Sequence, residues 1–308
     1  MGSAIRVSGG IAAAALMMTG MAVAQPAYAR QIVYVPCNTA ALIAAVNGLD
    51  TIGSGTLRLA SNCDYALTAP SATGRGPDGL LVTGDISIIG GSSTRITRSA
   101  TAAAFRVLEV GSGARLYLRN VFISGGLTDN TVPANDSGGG ILNSRGTIVL
   151  SRTTVSGNTA DNGAGISNDS GRLITSYTLI QNNSTRTGGG GGGGVYNDGA
   201  IMASNSIIRG NRANTNGGGL YNGQGGRAET YRTTIDHNTA GASGGGLYNT
   251  ADARLLLRST LVQLNSATNG GGIFNGGIPS RVSLNNSLIQ HNTPNNCVPL
   301  GSLFGCTN

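Results

Sequence analysis

A short glycine phrase returns six times along the second half of the chain, and few folds can accommodate such a repeat. Residues 138–143 read GGGILN, 163–168 GAGISN, 192–197 GGGVYN, 217–222 and 244–249 GGGLYN, and 270–275 GGGIFN. The closing asparagines are 25, 29, 25, 27 and 26 residues apart. A period of this length marks a solenoid, with one repeat per turn of the chain.

A second phrase alternates with the first and also ends in asparagine: TTVSGN at Asn158, TLIQNN at Asn183, SIIRGN at Asn211, TTIDHN at Asn238, TLVQLN at Asn265 and SLIQHN at Asn292. Three positions before each asparagine stand Val155, Ile180, Ile208, Ile235, Val262 and Ile289, all β-branched and apolar. Ten positions before stand Ile148, Leu173, Ile201, Ala228, Leu255 and Val282, and eight before, Leu150, Thr175, Ala203, Thr230, Leu257 and Leu284. Two-residue alternation with β-branched content predicts strands. An earlier, less regular copy ends at Gly126, with Ile123, Leu118 and Leu116 in the matching columns.

A unit with two or three short strands cannot bury its apolar side alone. Stacked about 4.8 Å apart, the strands pair in parallel with their copies and the columns become continuous aliphatic stacks. The expected fold is an all-β, right-handed parallel β-helix of about ten coils, the hand following from the rule for parallel crossovers. Its ends need covers against edge pairing. Asn38 can cap a short helix through Ala40, Leu42, Ile43 and Val46, and the segment after Asn292 can close the other end. The expected organisation is a signal peptide at 1–29, an N-terminal cap at 30–56, the β-helix at 57–292 and a C-terminal cap at 293–308.

The signal peptide rests on Arg6, the apolar run from Ile11 to Met18 and the small residues Ala27 and Ala29 around the cleavage point. The run is too short to span a bilayer, so the expected protein is secreted and has no membrane partner. Cys37, Cys63, Cys297 and Cys306 lack the paired spacing of a zinc site. Of the three possible disulfide pairings, Cys37 with Cys63 and Cys297 with Cys306 are favoured, the first pair being about one repeat apart.

Glycine supplies 51 of 308 residues, against a usual share of about 7%, which disfavours long helices. All twenty basic residues are arginine, so chemistry that needs a lysine amine is excluded. The mature chain carries 19 arginines and 13 acids, or 19 − 13 = +6. An anionic partner fits that balance, and for a secreted chain an acidic polysaccharide is a better match than nucleic acid. Solubility alone also accounts for the charge. No cofactor or metal is expected: the run from Gly188 to Gly194 has neither the basic residue nor the helix of a phosphate loop, and no aspartate recurs among the glycines as calcium repeats require.

The two phrases resemble those of the secreted bacterial group with GGGIYN and STISGN repeats within the pectate-lyase-like superfamily of right-handed parallel β-helices. The resemblance covers about 138–292. It implies the fold and a range of activities that includes polysaccharide lyases, polygalacturonases, depolymerases and adhesins.

Residues repeated in every coil, such as the asparagines, are architectural. Broken columns are better pointers to function. Before the phrase asparagine stand Leu142, Ser167, Tyr196, Tyr221, Tyr248 and Phe274, an outward aromatic ladder that could take sugar faces or could simply stabilise its sheet. Arg209 is a further candidate for substrate binding. Glu229 and Tyr231 stand outward with Arg258 in the following coil, and Asp236 and His237 end the same coil. His237 and His291 share a column two coils apart, and a lone histidine in a turn is commonly just solvated.

Cleavage of a uronate polymer by β-elimination needs a carboxylate neutraliser, a base and an acid. Arg232 or Arg258, His237, and Tyr231 or Tyr248 are the candidates in that order. A hydrolase would need two carboxylates, for which Glu229 and Asp236 are the local pair. The expected function is therefore a secreted lyase acting on an acidic polysaccharide, with a non-catalytic adhesion or glycan-binding protein as the alternative.

Overall fold

The computed structural model describes residues 31–129, 136–278, 281–299 and 303–307, so the expected signal peptide lies outside the described residues. The chain winds as a parallel β-solenoid of about ten turns. Each turn contributes one strand to each of three sheets. The first, ten-stranded, runs from Ile32–Val35 and Ser54–Leu59 to Val282–Asn285; the second, nine-stranded, from Asp64–Leu67 to Leu288–Gln290; the third, ten-stranded, from Ala72–Thr73 to Cys297–Val298. Where the glycine phrase precedes the third sheet, two-residue strands such as Thr159–Ala160 and Ser184–Thr185 form a four-stranded fourth sheet. Pairing is parallel throughout these sheets except where Ala72–Thr73 meets Pro77–Val82.

The aliphatic columns stack in the predicted register. Val155, Ile180, Ile208, Ile235, Val262 and Ile289 pair in series on the second sheet, and all are buried. The column from Ile148 to Val282 and the column from Leu150 to Leu284 pair likewise on the first sheet, buried as far as Leu255 and Leu257 and half-buried at Val282 and Leu284. Ile123, Leu118 and Leu116 join them from the earlier copy.

Both ends are covered. A helix over Thr39–Ile52 starts at Asn38, whose side chain accepts the Ala41 N–H at 2.9 Å, and ends at Gly53 in the left-handed conformation. Its buried face, Leu42, Val46 and Leu49, packs on the strands of the first turns. The Cys37–Cys63 disulfide ties the entry strand to the next turn, and Cys297–Cys306 holds the C-terminal segment, where Leu303 is buried in the same core. The sheets extend to both sides of 57–292, because Ile32–Val35 and Cys297–Val298 pair with the edge strands they cover.

Two asparagine ladders run inside the corners. In one, the Nδ2 of Asn143, Asn168, Asn197, Asn222 and Asn249 each donates to the Oδ1 of the next asparagine, at 2.7 to 3.0 Å, ending on Asn275. In the other, Asn158, Asn183, Asn211, Asn238 and Asn265 each donate at 2.9 to 3.0 Å to the next, ending on Asn292. Each Oδ1 there also accepts the backbone N–H of the preceding asparagine, as Asn238 does from Asn211 at 3.0 Å. Every such amide is both donor and acceptor to protein partners, which is the condition for burying it.

Two of the corners use left-handed backbone. Between the first and second sheets this position is taken by Asn120, Arg152, Tyr177, Asn205, Arg232, Ser259 and Asn286, with φ from 46° to 53°. After the second sheet it is taken by Gly125, Gly157, Asn182, Gly210, His237, Leu264 and His291. Glycine, asparagine and histidine suit this region far better than leucine does.

Two substitutions test these corners by denaturant unfolding. Asn211→Ala strands the amides of Asn183 and Asn238 and should cost about 2–4 kcal/mol. Leu264, exposed and at φ 55°, should yield the opposite sign: Leu264→Asn is expected to stabilise the protein by about 1 kcal/mol.

Candidate functional site

The outer face of the first sheet presents three columns to solvent. The column at the strand starts reads Arg115, Thr147, Arg172, Ala200, Arg227 and Arg254, and Arg281, preceding Val282, continues it. The middle column is largely apolar: Tyr117, Val149, Ile174, Met202, Glu229, Leu256 and Ser283. The last carries Tyr231 and Arg258 opposite each other.

Two adjoining hollows follow the arginine column. One, of about 470 Å³, is lined by Arg227, Arg254, Leu256, Ile278 and Arg281, among others. The next, of about 340 Å³, is lined by Arg172, Met202, Arg227 and Glu229 with the intervening backbone. They share Arg227 and so form one groove along the rod. Its outer wall arises where the corner between the third and first sheets lengthens, from Asp198 and Gly199 in one turn to residues 250–253 in a later one, with Ile278 beside the last.

Arg172, Arg227 and Arg254 form no ion pair among the described residues. Like charges at neighbouring strand positions repel, and strand spacing brings Arg227 and Arg254 to about 4.8 Å at the backbone. An anion laid along the column removes that repulsion. Counting eleven positions back from the asparagines of the second phrase finds Arg172, Arg227, Arg254 and Arg281 in the sequence, and the outward side of the strand is where such a count has to be made.

The catalytic candidates fall on three faces. Glu229, Tyr231 and Arg258 share the outer face of the first sheet, with Arg258 Nε 3.4 Å from Glu229 Oε1, and of the three Glu229 lines the groove. Arg232 sits in the adjoining corner with its guanidinium 4.9 Å over the Tyr231 ring. Asp236 ends a strand of the second sheet, 3.1 Å from His237 Nδ1 and 3.6 Å from Arg209, and its Oδ1 is buried without a hydrogen-bond partner. His237 and Arg232 both occupy left-handed corner positions, so backbone conformation accounts for where they stand. Tyr248 is on the third sheet, away from all of these.

Tyr196, Tyr221, Tyr248 and Phe274 do form an outward ladder on the third sheet. Consecutive centroids are 4.8, 5.0 and 5.0 Å apart and the rings lie within 8° of parallel. Each interior ring therefore turns both faces to its neighbours and shows only an edge to solvent. A flat ligand has access to a ring face only where the ladder ends.

One buried ionic cluster has no counterpart in the glycine phrases. Arg106 donates to Asp78 at 2.6 Å and to Glu109 at 2.9 Å, and all three are buried. Its guanidinium also donates to the carbonyls of Ser137 and Gly138. Two carboxylates facing one cation favour retention of a proton, and Asp78 is pushed up to about 7, by burial first and by Glu109 as well, against the pull of Arg106. The loop above closes the cluster: Arg75 N–H donates to Glu109 and Gly74 N–H to Asp78, both at 2.9 Å.

Among the described residues no three His, Cys, Asp or Glu side chains converge as a metal site, and no helix is long and apolar enough to cross a membrane. Compared with protein-family models, curated proteins and solved structures, the chain matches none.

Asp78 gives a pH signature with a definite sign. Its folded-state value lies above the roughly 3.9 of an unfolded aspartate, so the folded protein binds the extra proton and loses stability as pH rises from about 4 to about 7. Unfolding free energies measured across that window should decline, and Asp78→Asn should flatten the decline.

Proposed function

We propose that this protein is an extracellular β-solenoid that binds an acidic polysaccharide along the arginine column of its first sheet. The observation that carries this reading is the run of Arg172, Arg227 and Arg254, exposed beside an apolar strip and without carboxylate partners among the described residues. Arginine forks match carboxylates and sulfates, and Met202 and Leu256 offer apolar surface for the CH faces of sugar rings. Two disulfides and a rod closed at both ends fit an extracellular setting. The repeat phrases support placement in the pectate-lyase-like superfamily.

β-Elimination is a second reading, favoured by Glu229 in the groove lining, with Arg258 3.4 Å from it and Tyr231 on the same outer face. Arg227 or Arg254 would neutralise the uronate carboxylate, and Glu229 or Tyr231 would move the proton beside it. His237 and Tyr248 stand on other faces and take no part in this version.

The test is retention on polyuronate, hyaluronan and duplex DNA across a salt series, followed by ultraviolet absorbance for unsaturated uronates. The expected result is salt-sensitive binding to an acidic glycan. With each exposed contact worth up to about 1 kcal/mol, Arg227→Ala with Arg254→Ala should weaken it about tenfold to thirtyfold. Equal binding by the double variant overturns the groove, and tighter binding to DNA overturns the partner. A rise in absorbance that Glu229→Gln abolishes establishes elimination.

A further inference from the structure

The edge where the first sheet turns into the second gathers cations and rings over the first six turns, about 24 Å of the rod at strand spacing. The outward column at the strand ends reads Tyr34, Arg58, Ile89 and Arg119 in successive turns. Across the edge, the first outward column of the second sheet brings Arg95 and Phe122 into register. On the corner itself stand Arg152 and Tyr177, whose left-handed backbone projects the side chain outward. Tyr34 and Tyr177 are 76% and 60% exposed, and Arg58, Arg95 and Arg152 are exposed as well.

This edge is short of acid. Arg58, Arg95, Arg119 and Arg152 form no ion pair among the described residues. The acid in these columns is Asp64, in register with Arg95, and it accepts from Thr97 Oγ1 at 2.7 Å. Two of the guanidinium groups lie over rings instead, Arg95 at 5.2 Å from the centre of Phe122 and Arg152 at 5.4 Å from that of Tyr177. Two hollows, of about 510 and 400 Å³, adjoin at Gly91. Each sets one arginine beside one ring: Arg58 and Tyr34 line the first, Arg152 and Phe122 the second.

A corner of the rod is convex. It does not enclose a chain ligand as the first-sheet groove does, but it can rest on a flat one. The arginines over Phe122 and Tyr177 also take a ring face from stacking on a base or a sugar. A bilayer interface accommodates both residue types, because guanidinium forks meet phosphate and tyrosine rings settle among headgroups with the phenol in water. We propose that the protein rests with this edge on an anionic lipid surface, phosphate headgroups entering the hollows at Arg58 and Arg152 and the rings of Tyr34, Phe122 and Tyr177 seated at headgroup depth. The contact lies on the bilayer and not across it, so it needs no spanning helix. It uses the ends of the first-sheet strands, where the arginine groove uses their starts, and does not rest on the glycan reading.

Co-sedimentation of the mature chain with vesicles tests the proposal, using phosphatidylcholine alone and an equal mixture of phosphatidylcholine and phosphatidylglycerol. The expected result is binding to the mixed vesicles only, released by salt. From the usual contribution of a basic side chain near an anionic surface, Arg58→Ala with Arg152→Ala should weaken partitioning about tenfold to thirtyfold and leave polyuronate retention unchanged. Arg227→Ala with Arg254→Ala, on the far margin of the sheet, should weaken partitioning less than about threefold. The chain has no tryptophan, so Tyr177→Trp supplies a single fluorophore whose emission should shift to the blue on the mixed vesicles. No binding to the mixed vesicles, equal binding to neutral ones, wild-type partitioning by the folded Arg58→Ala, Arg152→Ala protein, or an unshifted emission in vesicle-bound Tyr177→Trp overturns it. Loss of polyuronate or duplex DNA retention in the Arg58→Ala, Arg152→Ala protein assigns the edge to a soluble polyanion and overturns it equally.

Discussion

Amide-to-amide hydrogen bonds running along the axis of the rod make the rest of this structure possible. A coil with sharp corners must leave backbone N–H and C=O groups pointing inward, where water cannot reach them, and each unmet group costs about 1–3 kcal/mol. The asparagine side chain has a donor and an acceptor at fixed separation. Stacked at strand spacing, one asparagine satisfies the next and a corner carbonyl besides: Asn211 donates both to Asn238 and to the Ile180 carbonyl. A hydroxyl column does similar work at another corner, where Thr153, Thr178 and Thr233 each donate to a carbonyl of the preceding turn. Aspartate in these ladders would have no proton to give, and glutamine would not fit the same spacing.

The corners also decide which unusual residues need a functional explanation. Arg232 and His237 draw attention in the sequence as a cation and a base close to Glu229, Tyr231 and Asp236. Both stand where φ must be positive, in company with Tyr177, Ser259 and Leu264. What these positions share is backbone conformation, with the side chain projecting outward. His237 is therefore explained by the same rule as His291, two turns on, and neither needs a reaction to justify it.

The fold was readable because each structural demand is repeated in nearly every turn. Apolar columns at three, eight and ten positions before an asparagine identify the inner face, and the asparagine itself marks the corner, so register follows from counting. The end helix was equally readable from Asn38 and its apolar spacing. Outward features obey the same arithmetic but lack its contrast: arginine recurs at Arg172, Arg227 and Arg254 and is interrupted at Ala200, with no hydrophobic pattern to signal it. Asp78 and Arg106 are 28 residues apart and in register, one turn like any other. Their coils precede the glycine phrases, so the period that would align them is faint. Ser167 is visible in the sequence as a break in an aromatic column. That Ser167 and Leu142 lie covered, where the following rings stand half-exposed, has no signal in the spacing.

The distribution of charge ties the two outer faces together. Asp169, Asp198 and Asp252 all follow the phrase asparagine, at the corner where the third sheet gives way to the first, and the arginine column begins just beyond them. Neighbours in sequence could have neutralised one another at that corner. They do not: Asp169 takes its cation from Arg75, more than ninety residues earlier, and Asp252 accepts from Thr250 and the Gly225 N–H. Arg172, Arg227 and Arg254 are left facing the first-sheet groove without an ion pair among the described residues. A rod whose repeat places opposite charges within a few residues, and whose folding then satisfies the acids elsewhere, presents its arginines to solvent along one face.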